Sequence, residues 1–233
     1  MSHDVTLLFD LDGTLVNTDE LHFDAFRTLL ADFGRSLSME TYRSRIMGGS
    51  NEAIMHELFP DEPADVQRQL AERKEALFRS AVTTLEPTRG LIELLDWAGR
   101  HGIRIGVVTN APRPNAELML GGIGIADRID ALVIGEELAR GKPDPLPYLT
   151  GLERLGGDAA RAFAFEDSLS GIRSASAAGI HTFGLRGALA ESALRDAGAN
   201  EVIDDFLSPV LWRRLERIEA EGPTRAGRSG ATR

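Results

Sequence analysis

Short runs of Val, Ile, Leu and Phe recur along the chain, and their length is typical of buried strands. Between most of them, apolar residues recur at helical spacing and stop at a glycine, as at Gly102 and Gly179. Alternation of strand, helix and strand indicates a parallel sheet covered by helices on both faces. The pattern predicts an α/β fold with a doubly wound, Rossmann-like parallel sheet, whose strands cover residues 5–9, 103–108, 131–134, 162–165 and 181–185.

The interval between the first two strands shows no strand pattern and is far longer than an ordinary connection. Its apolar residues follow helical spacing, first from Leu21 to a stop at Gly34, and then over residues 51–59 and 64–82. This pattern predicts a small helical cap domain inserted after the first strand. The predicted organisation is a Rossmann-like core of residues 1–16 and 85–221, a cap of residues 17–84, and a disordered tail at 222–233 that lacks large apolar residues.

Composition and charge narrow the classes of function. The formal net charge of −10 disfavours nonspecific binding to nucleic acid, because that affinity comes from Lys and Arg. The chain has no cysteine, which excludes disulfides, thiolate metal sites and a cysteine nucleophile. The apolar run at 5–9 is shorter than a signal peptide, and no apolar stretch approaches the roughly 20 residues of a membrane span. We expect a cytoplasmic protein that binds neither nucleic acid nor a membrane.

Two aspartates follow the first predicted strand, in the run FDLDGTL. Asp10 and Asp12 are two positions apart, so in extended backbone their side chains point the same way. Two carboxylates so close together repel each other unless a cation or a shared proton compensates. Gly13 then allows a sharp turn without a side-chain penalty. Taken alone, the run also fits two solvated turn residues, so the interpretation depends on the other strands.

The other predicted strands also lead into polar residues. The second strand is followed by Thr109 and Asn110, the fourth by Glu166 and Asp167, and Lys142 follows the third in the run GKPD. In open parallel sheets, ligands bind at the carboxyl ends of the strands. Independent parts of the sequence therefore bring acids, a hydroxyl and a cation to the same edge of the sheet.

Together these segments resemble the motifs of the haloacid dehalogenase superfamily, within it the helical-cap branch that includes phosphoglycolate phosphatase and beta-phosphoglucomutase. The resemblance covers nearly the whole chain up to the tail. It lies in the DLDGT run from Asp10, in Thr109, in Lys142 and in the pair Glu166 and Asp167, in the family's order. Four ordered motifs are far more specific than one. The resemblance implies a Mg²⁺-dependent phosphatase that acts on a small phosphorylated metabolite.

The resemblance also implies roles for the acidic residues. Asp10 would be the nucleophile that becomes phosphorylated, and both Mg²⁺ and the Lys142 ammonium would lower its pKa. Asp12 would be the general acid and base, and its backbone carbonyl rather than its side chain would reach the metal. Asp167 would complete the metal site with Asp10 and Asp12, with Glu166 nearby as an outer or occasional ligand.

Three further residues would bind the phosphoryl group if the resemblance holds. Thr109 would donate its hydroxyl to a phosphoryl oxygen, assisted by the backbone amide of Asn110. Lys142 would place a compact positive charge against both the phosphoryl group and Asp10.

A sugar phosphomutase of the beta-phosphoglucomutase type is the nearest alternative. Glu20 and His22 lie where that subgroup has a Glu and a His, and they would orient Asp12 or the substrate, although they also fit the exposed face of a surface helix. Those relatives hold a second phosphate with a basic cap residue, where this chain has Asn51, whose amide cannot neutralise a phosphate dianion. We therefore favour hydrolysis. A non-catalytic phosphate-binding protein is a third alternative, and the sequence leaves the substrate and the oligomeric state open.

Overall fold

The computed structural model describes residues 5–221, which contain one sheet of six parallel strands. The order of the strands across the sheet is β3-β2-β1-β4-β5-β6. From β1 the chain adds β2 and β3 on one side of the sheet. It then crosses over and adds β4, β5 and β6 on the other side, which makes the sheet doubly wound. The predicted α/β fold is confirmed. The strands are β1 (Thr6–Phe9), β2 (Arg104–Thr109), β3 (Ala131–Ile134), β4 (Ala162–Glu166), β5 (His181–Leu185) and β6 (Glu201–Ile203).

The prediction of five strands was incomplete, because it missed β6. This strand has three residues and begins with Glu201, which is too short and too polar to show a strand pattern. It pairs in parallel with β5, with Leu185 opposite Ile203. The structure also extends β2 to Thr109 and β4 to Glu166, so polar residues predicted to follow these strands are their last residues.

Helices cover the sheet and also form the segment between β1 and β2. A five-residue π-helical turn, Tyr42–Ile46, connects two of the helices in that segment. The helices are α1 (Asp19–Ala31), α2 (Met39–Thr41), α3 (Asn51–Leu58), α4 (Ala64–Ala81), α5 (Leu91–Arg100), α6 (Arg113–Gly122), α7 (Leu146–Leu155), α8 (Leu169–Ala177), α9 (Glu191–Asp196) and α10 (Pro209–Glu221).

The core of the sheet follows from the alternation of side chains along the strands. Leu7 and Phe9 face one side of β1 and Leu8 faces the other, and all three are fully buried. The Phe9 ring stacks on Phe165 of β4, with centroids 4.7 Å apart, and Phe165 stacks on Phe183 of β5 at 5.2 Å. These contacts join the central strands, so the loops that follow β1 and β4 start from a rigid base.

The helices α1–α4 enclose an apolar cluster of their own, which fits the predicted cap. Its central members are Phe26, Leu29, Tyr42, Ile54 and Met55. The boundaries at residues 17 and 84 stay a prediction, and the predicted tail at 222–233 lies outside the described residues. No helix among residues 5–221 combines the length and apolar character of a membrane span.

Candidate active site

The site lies at the carboxyl ends of the three central strands. Parallel pairing places Phe9 of β1 beside Val107 of β2 and Phe165 of β4. The residues that follow in each strand therefore meet at one edge of the sheet, at the point where the strand order reverses. Asp10 is one of them, and its backbone N–H donates to the Phe165 carbonyl at 2.9 Å, so the backbone of β1 and β4 stays paired up to the site.

Lys142, in the loop after β3, contacts both the residue after β1 and the last residue of β4. Its Nζ donates to Asp10 Oδ1 at 2.6 Å and to Glu166 Oε1 at 2.5 Å. The Tyr148 hydroxyl donates to the same Glu166 oxygen at 2.7 Å. Burial alone would lower the pKa of Lys142, but the charges of Asp10 and Glu166 outweigh it and raise this pKa above its ordinary value. The two carboxylates thus favour the charged form of this buried lysine.

The carboxylates of Asp10, Glu166 and Asp167 form a buried cluster, with one oxygen from each lying within 4.8 Å of the others. Burial raises the pKa of Asp10 to about 8, Glu166 and Asp12 add to the rise, and Lys142 opposes it. Burial, Asp10 and Glu166 likewise raise the pKa of Asp167 well above its ordinary value. Lys142 thus acts on the Asp10 pKa in the direction expected from the sequence, but burial outweighs it.

This cluster fits a hard divalent cation. Its donors are all oxygen atoms, as Mg²⁺ prefers, and its excess of negative charge calls for more positive charge than Lys142 supplies. Two glycines keep the carboxylates close: a Cβ at Gly13, where φ is +78°, would clash with Asp167, and a Cβ at Gly171 would clash with Glu166. The described residues thus form a site that can bind a metal, to which Asp10, Glu166 and Asp167 each offer one oxygen.

The Asp12 carboxylate lies outside this cluster. Its Oδ1 accepts from the Thr18 hydroxyl at 2.5 Å and lies 3.1 Å from His22 Nε2. Burial would raise the pKa of Asp12, but its hydrogen bonds with His22 and Thr18 lower it. Asp10 and Asp12 thus have opposite pKa shifts, as expected of two carboxylates with different tasks. Contact between Asp12 and a metal stays a prediction, which concerned its main-chain oxygen.

Sequence reasoning missed two buried charged residues of α4. Lys74 Nζ donates to Glu75 Oε1 at 2.6 Å and lies 3.2 Å from His22 Nδ1. Both side chains line the same cavity as Asp12. A neighbouring Lys and Glu in a long polar helix resemble a solvated surface pair. One signal was available: Lys74 and Lys142 are the two lysines of a chain whose other strongly basic residues are all Arg.

Two polar residues at the end of β2 border the site. Thr109 is buried, and its hydroxyl oxygen accepts from the Ala111 backbone N–H at 3.0 Å. The side-chain oxygen of Asn110 accepts from the Lys142 backbone N–H at 3.3 Å, which links the β2 end to the Lys142 loop. The Asn110 Nδ2 is buried and has no hydrogen-bond partner within the described part of the chain. Such a donor suits an anionic ligand oxygen.

A cavity of about 90 Å³ lies between the cap helices and the sheet edge. Asp10, Asp12, Thr109, Lys142 and Asp167 line it from the sheet edge and the loops beside it. From the cap side it is lined by His22 and Asn51, which were predicted, and by Asp19, Tyr42, Lys74 and Glu75, which were not. Glu20 was also predicted, but its side chain is exposed and does not line this cavity.

Asn51 forms a hydrogen bond across the cleft between cap and core. Its Nδ2 donates to Oε1 of Glu136, in the turn after β3, at 3.0 Å. Burial raises the Glu136 pKa, and the Asn51 bond opposes this rise. Where the resemblance to the mutases implies a basic residue, this chain thus presents an amide bound to a carboxylate.

Comparison with known families and proteins identifies the family of this chain. Residues 7–185 match the family model of the haloacid dehalogenase-like hydrolases. The chain belongs to this family. The expectation from its motifs is thereby confirmed. Several relatives carry names of phosphatases, so the prediction of a phosphoric monoester hydrolase is confirmed as well.

Two curated relatives illustrate the similarity. A phosphorylated carbohydrates phosphatase of Thermotoga maritima is 31% identical over 200 residues, which are 83% of this chain and 91% of that protein. A phosphoglycolate phosphatase of Rhodospirillum rubrum is 31% identical over 215 residues, which are 88% of this chain and 89% of that protein.

Two solved structures agree with the fold. A mutant of CbbY from Rhodobacter sphaeroides, in complex with xylulose-1,5-bisphosphate, is 28% identical, with a TM-score of 0.77 and coverage of 86% of this chain and 94% of that one. A beta-phosphoglucomutase from Clostridium difficile is 22% identical, with a TM-score of 0.81 and coverage of 95% and 99%. At that identity the second similarity concerns the fold alone.

Proposed function

We propose that this protein is a Mg²⁺-dependent phosphatase that hydrolyses a small phosphorylated metabolite through a phosphorylated Asp10. The observation that carries the proposal is that two aspartates lining one cavity have different surroundings. Asp10 lies in the carboxylate cluster beside Lys142, whereas Asp12 is held apart by Thr18 and His22. A nucleophile and a separate proton carrier are what phosphoryl transfer through an enzyme carboxylate requires.

Asp10 performs the first step in this proposal. A carboxylate oxygen of Asp10 attacks phosphorus, the bond from phosphorus to the leaving oxygen breaks, and the leaving oxygen takes a proton from Asp12. A Mg²⁺ ion held by Asp10, Asp167 and Glu166, with the main-chain oxygen of Asp12, would offset the negative charge gathered there. Lys142 fixes one oxygen of Asp10, and Thr109 and Asn110 border the place of the phosphoryl oxygens.

Asp12 carries the proton in both steps. Its lowered pKa makes it a carboxylate at rest, and the dianionic phosphoryl group of an arriving substrate raises that pKa and lets it hold a proton. After the first step Asp12 is again a carboxylate. It then takes a proton from the water that attacks phosphorus, the bond from phosphorus to Asp10 breaks, and inorganic phosphate leaves.

The substrate class we propose is a small sugar phosphate or a phosphoglycolate-type monoester. The cavity is small and is lined by both cap and core residues, and the named phosphatase relatives act on phosphorylated carbohydrates and on phosphoglycolate. The mutase alternative is less favoured, because Asn51 is bonded to Glu136 and offers no positive charge to a second phosphate. We further propose that the protein acts in the cytoplasm on a free metabolite and binds neither nucleic acid nor a membrane.

The test is the release of inorganic phosphate from a panel of phosphorylated metabolites, with Mg²⁺ and with excess chelator. We expect phosphate to appear in step with substrate loss and only in the presence of the metal. Full activity in chelator would contradict the metal assignment. Conversion of the substrate into an isomeric phosphate with little free phosphate would contradict the hydrolase assignment and support the mutase.

A further inference from the structure

A buried hydrogen bond joins α4 of the cap to α6 of the core. Asn115 Nδ2 of α6 donates to Glu75 Oε2 of α4 at 2.6 Å. Asn115 is 0% exposed and Glu75 is 4% exposed. Asn115 does not line the catalytic cavity, whereas Glu75 does. The bond is thus made between an interior residue of the core and a cap residue that faces the site.

Both ends of the Asn115 amide are occupied, which fixes its orientation. While Nδ2 donates to Glu75, Oδ1 accepts from Arg79 NH1 at 2.7 Å. Arg79 lies one turn along α4 from Glu75, so the amide is bound by two residues of the same cap helix. Because Asn carries a donor and an acceptor on one planar group, it matches this carboxylate and guanidinium together.

From Glu75 an unbroken series of contacts leads to Asp12. The second oxygen of Glu75 accepts from Lys74 Nζ at 2.6 Å, and Lys74 Nζ lies 3.2 Å from His22 Nδ1. An ammonium has no acceptor, so His22 Nδ1 accepts and Nε2 is left to donate to Asp12 at 3.1 Å. The His22 ring also stacks on Phe78, with centroids 4.0 Å apart and planes 4° apart.

We propose that Asn115 is a positioning residue for proton transfer by Asp12. Its amide holds Glu75, Glu75 holds Lys74, and Lys74 fixes the tautomer and place of His22, which orients the Asp12 carboxylate. Since Asn115 belongs to the core and the next three residues belong to the cap, Asp12 is fully oriented only when the cap sits on the core. The proposal rests on the proposed phosphatase function and goes beyond it, because Asn115 touches neither the substrate cavity nor the carboxylate cluster.

The test compares two substrates that differ in their need for a general acid. p-Nitrophenolate leaves readily without a proton, whereas an alkoxide leaves poorly without one. The variant Asn115→Leu keeps similar volume and removes both polar atoms. We expect its kcat/KM for an alkyl phosphate to fall by at least about tenfold more than its kcat/KM for p-nitrophenyl phosphate, because small displacements of a catalytic group cost large factors in rate. Glu117→Gln, an exposed change on the same helix, should leave both values unchanged.

A double-mutant cycle checks that the effect of Asn115→Leu on the rate depends on His22. In a His22→Ala background, Asn115→Leu should cause little further loss on the alkyl phosphate, because the contact it supports is already gone. Should Asn115→Leu fail to fold, Asn115→Ser replaces it in the same cycle. Equal losses on both substrates, or losses that simply add to those of His22→Ala, would overturn the positioning role and leave only domain docking. Absence of Mg²⁺-dependent phosphate release by the unmodified protein would instead overturn the proposed function itself.

Discussion

The ammonium of Lys142 lies 2.6 Å from Oδ1 of Asp10, although 132 positions separate the two residues in the chain. Lys142 also contacts Glu166 at 2.5 Å, so one buried cation serves two buried carboxylates. All three side chains are nearly inaccessible to solvent. Because water does not solvate these buried groups, each charge is stabilised mainly by the opposite charge beside it. This arrangement ties the stability of the fold to the charge balance of the site.

Removal of the Lys142 charge should therefore destabilise the protein. We expect Lys142→Met to lower the free energy of unfolding by about 3–5 kcal/mol, the usual cost of leaving a buried partner uncompensated. The double variant Lys142→Met with Glu166→Gln should recover part of this lost stability, since it removes one of the two carboxylates left without a cation. Urea denaturation measures both values. An unchanged midpoint in Lys142→Met would mean that solvent reaches these groups.

Replacement of Asp10 by Asn should abolish turnover and preserve the fold. An amide cannot attack phosphorus, whereas it fits the same space and removes a charge that burial disfavours. Phosphate release from p-nitrophenyl phosphate and the thermal midpoint are the two measurements. Asp127→Asn, at an exposed aspartate, is the matched control and should be fully active. Near-normal turnover of Asp10→Asn would remove this residue from the mechanism.

Replacement of Asp12 by Asn should slow catalysis by roughly 10² to 10⁴, the usual contribution of a general acid and base. Unlike Asp10→Asn, this variant keeps its nucleophile and should retain a measurable rate. Because the Asp12 carboxylate lies outside the cluster of Asp10, Glu166 and Asp167, the effect of Mg²⁺ on the thermal midpoint should persist. A wild-type rate in Asp12→Asn would assign proton transfer to another group, with His22 examined first.

Mg²⁺ should stabilise the protein more at pH 8 than at pH 6. Without metal, the pKa of Asp10 is about 8 in the folded protein against an ordinary value of 3.8. Between these values the folded state holds a proton that the unfolded chain has released, so the metal-free protein loses stability as the pH rises through this window. A cation bound to the carboxylates offsets that loss and competes with fewer protons at the higher pH.

The measurement for this prediction is the thermal midpoint with Mg²⁺ and with chelator at the two pH values. Asp167→Asn replaces a charged carboxylate of the cluster by a neutral amide and should show a much smaller rise with Mg²⁺. Equal rises at pH 6 and pH 8 would contradict the pKa argument. An undiminished rise in Asp167→Asn would place the metal elsewhere.

A basic residue at position 51 should shift substrate preference toward bisphosphates. Because Asn51 is bonded to Glu136, an Arg introduced there would pair with that carboxylate, so Asn51→Arg is best combined with Glu136→Gln. We expect the ratio of kcat/KM for a sugar bisphosphate to that for its monophosphate to rise about tenfold, close to the value of one charge-assisted hydrogen bond. Glu136→Gln alone is the control. An unchanged ratio would show that the cap recognises substrate through other residues.

Two features could be predicted from the sequence alone, namely the order of the first five strands along the chain and the polar residues at the carboxyl ends of the central strands. Both are local properties of the sequence. Buried parallel strands require apolar runs, and a phosphate-binding site at the sheet edge requires polar residues directly after those runs. Asp10, Asp12, Thr109 and Asp167 were found in this way, Lys142 was found through its place in the family motifs, and the structure places all five around one cavity. The short edge strand β6 was not predicted, because three residues are too few to show a strand pattern.

The surroundings of Asp12 and the contacts between cap and core became known only from the folded structure. Lys74 and Glu75 look like an ordinary surface pair in the sequence, and their burial results from the packing of α4 against α1 and α6. Likewise, the opposite pKa shifts of Asp10 and Asp12 depend on which groups folding brings near each carboxylate. Burial and electrostatic environment are sums over residues distant in the chain, so they are fixed only when the chain has folded.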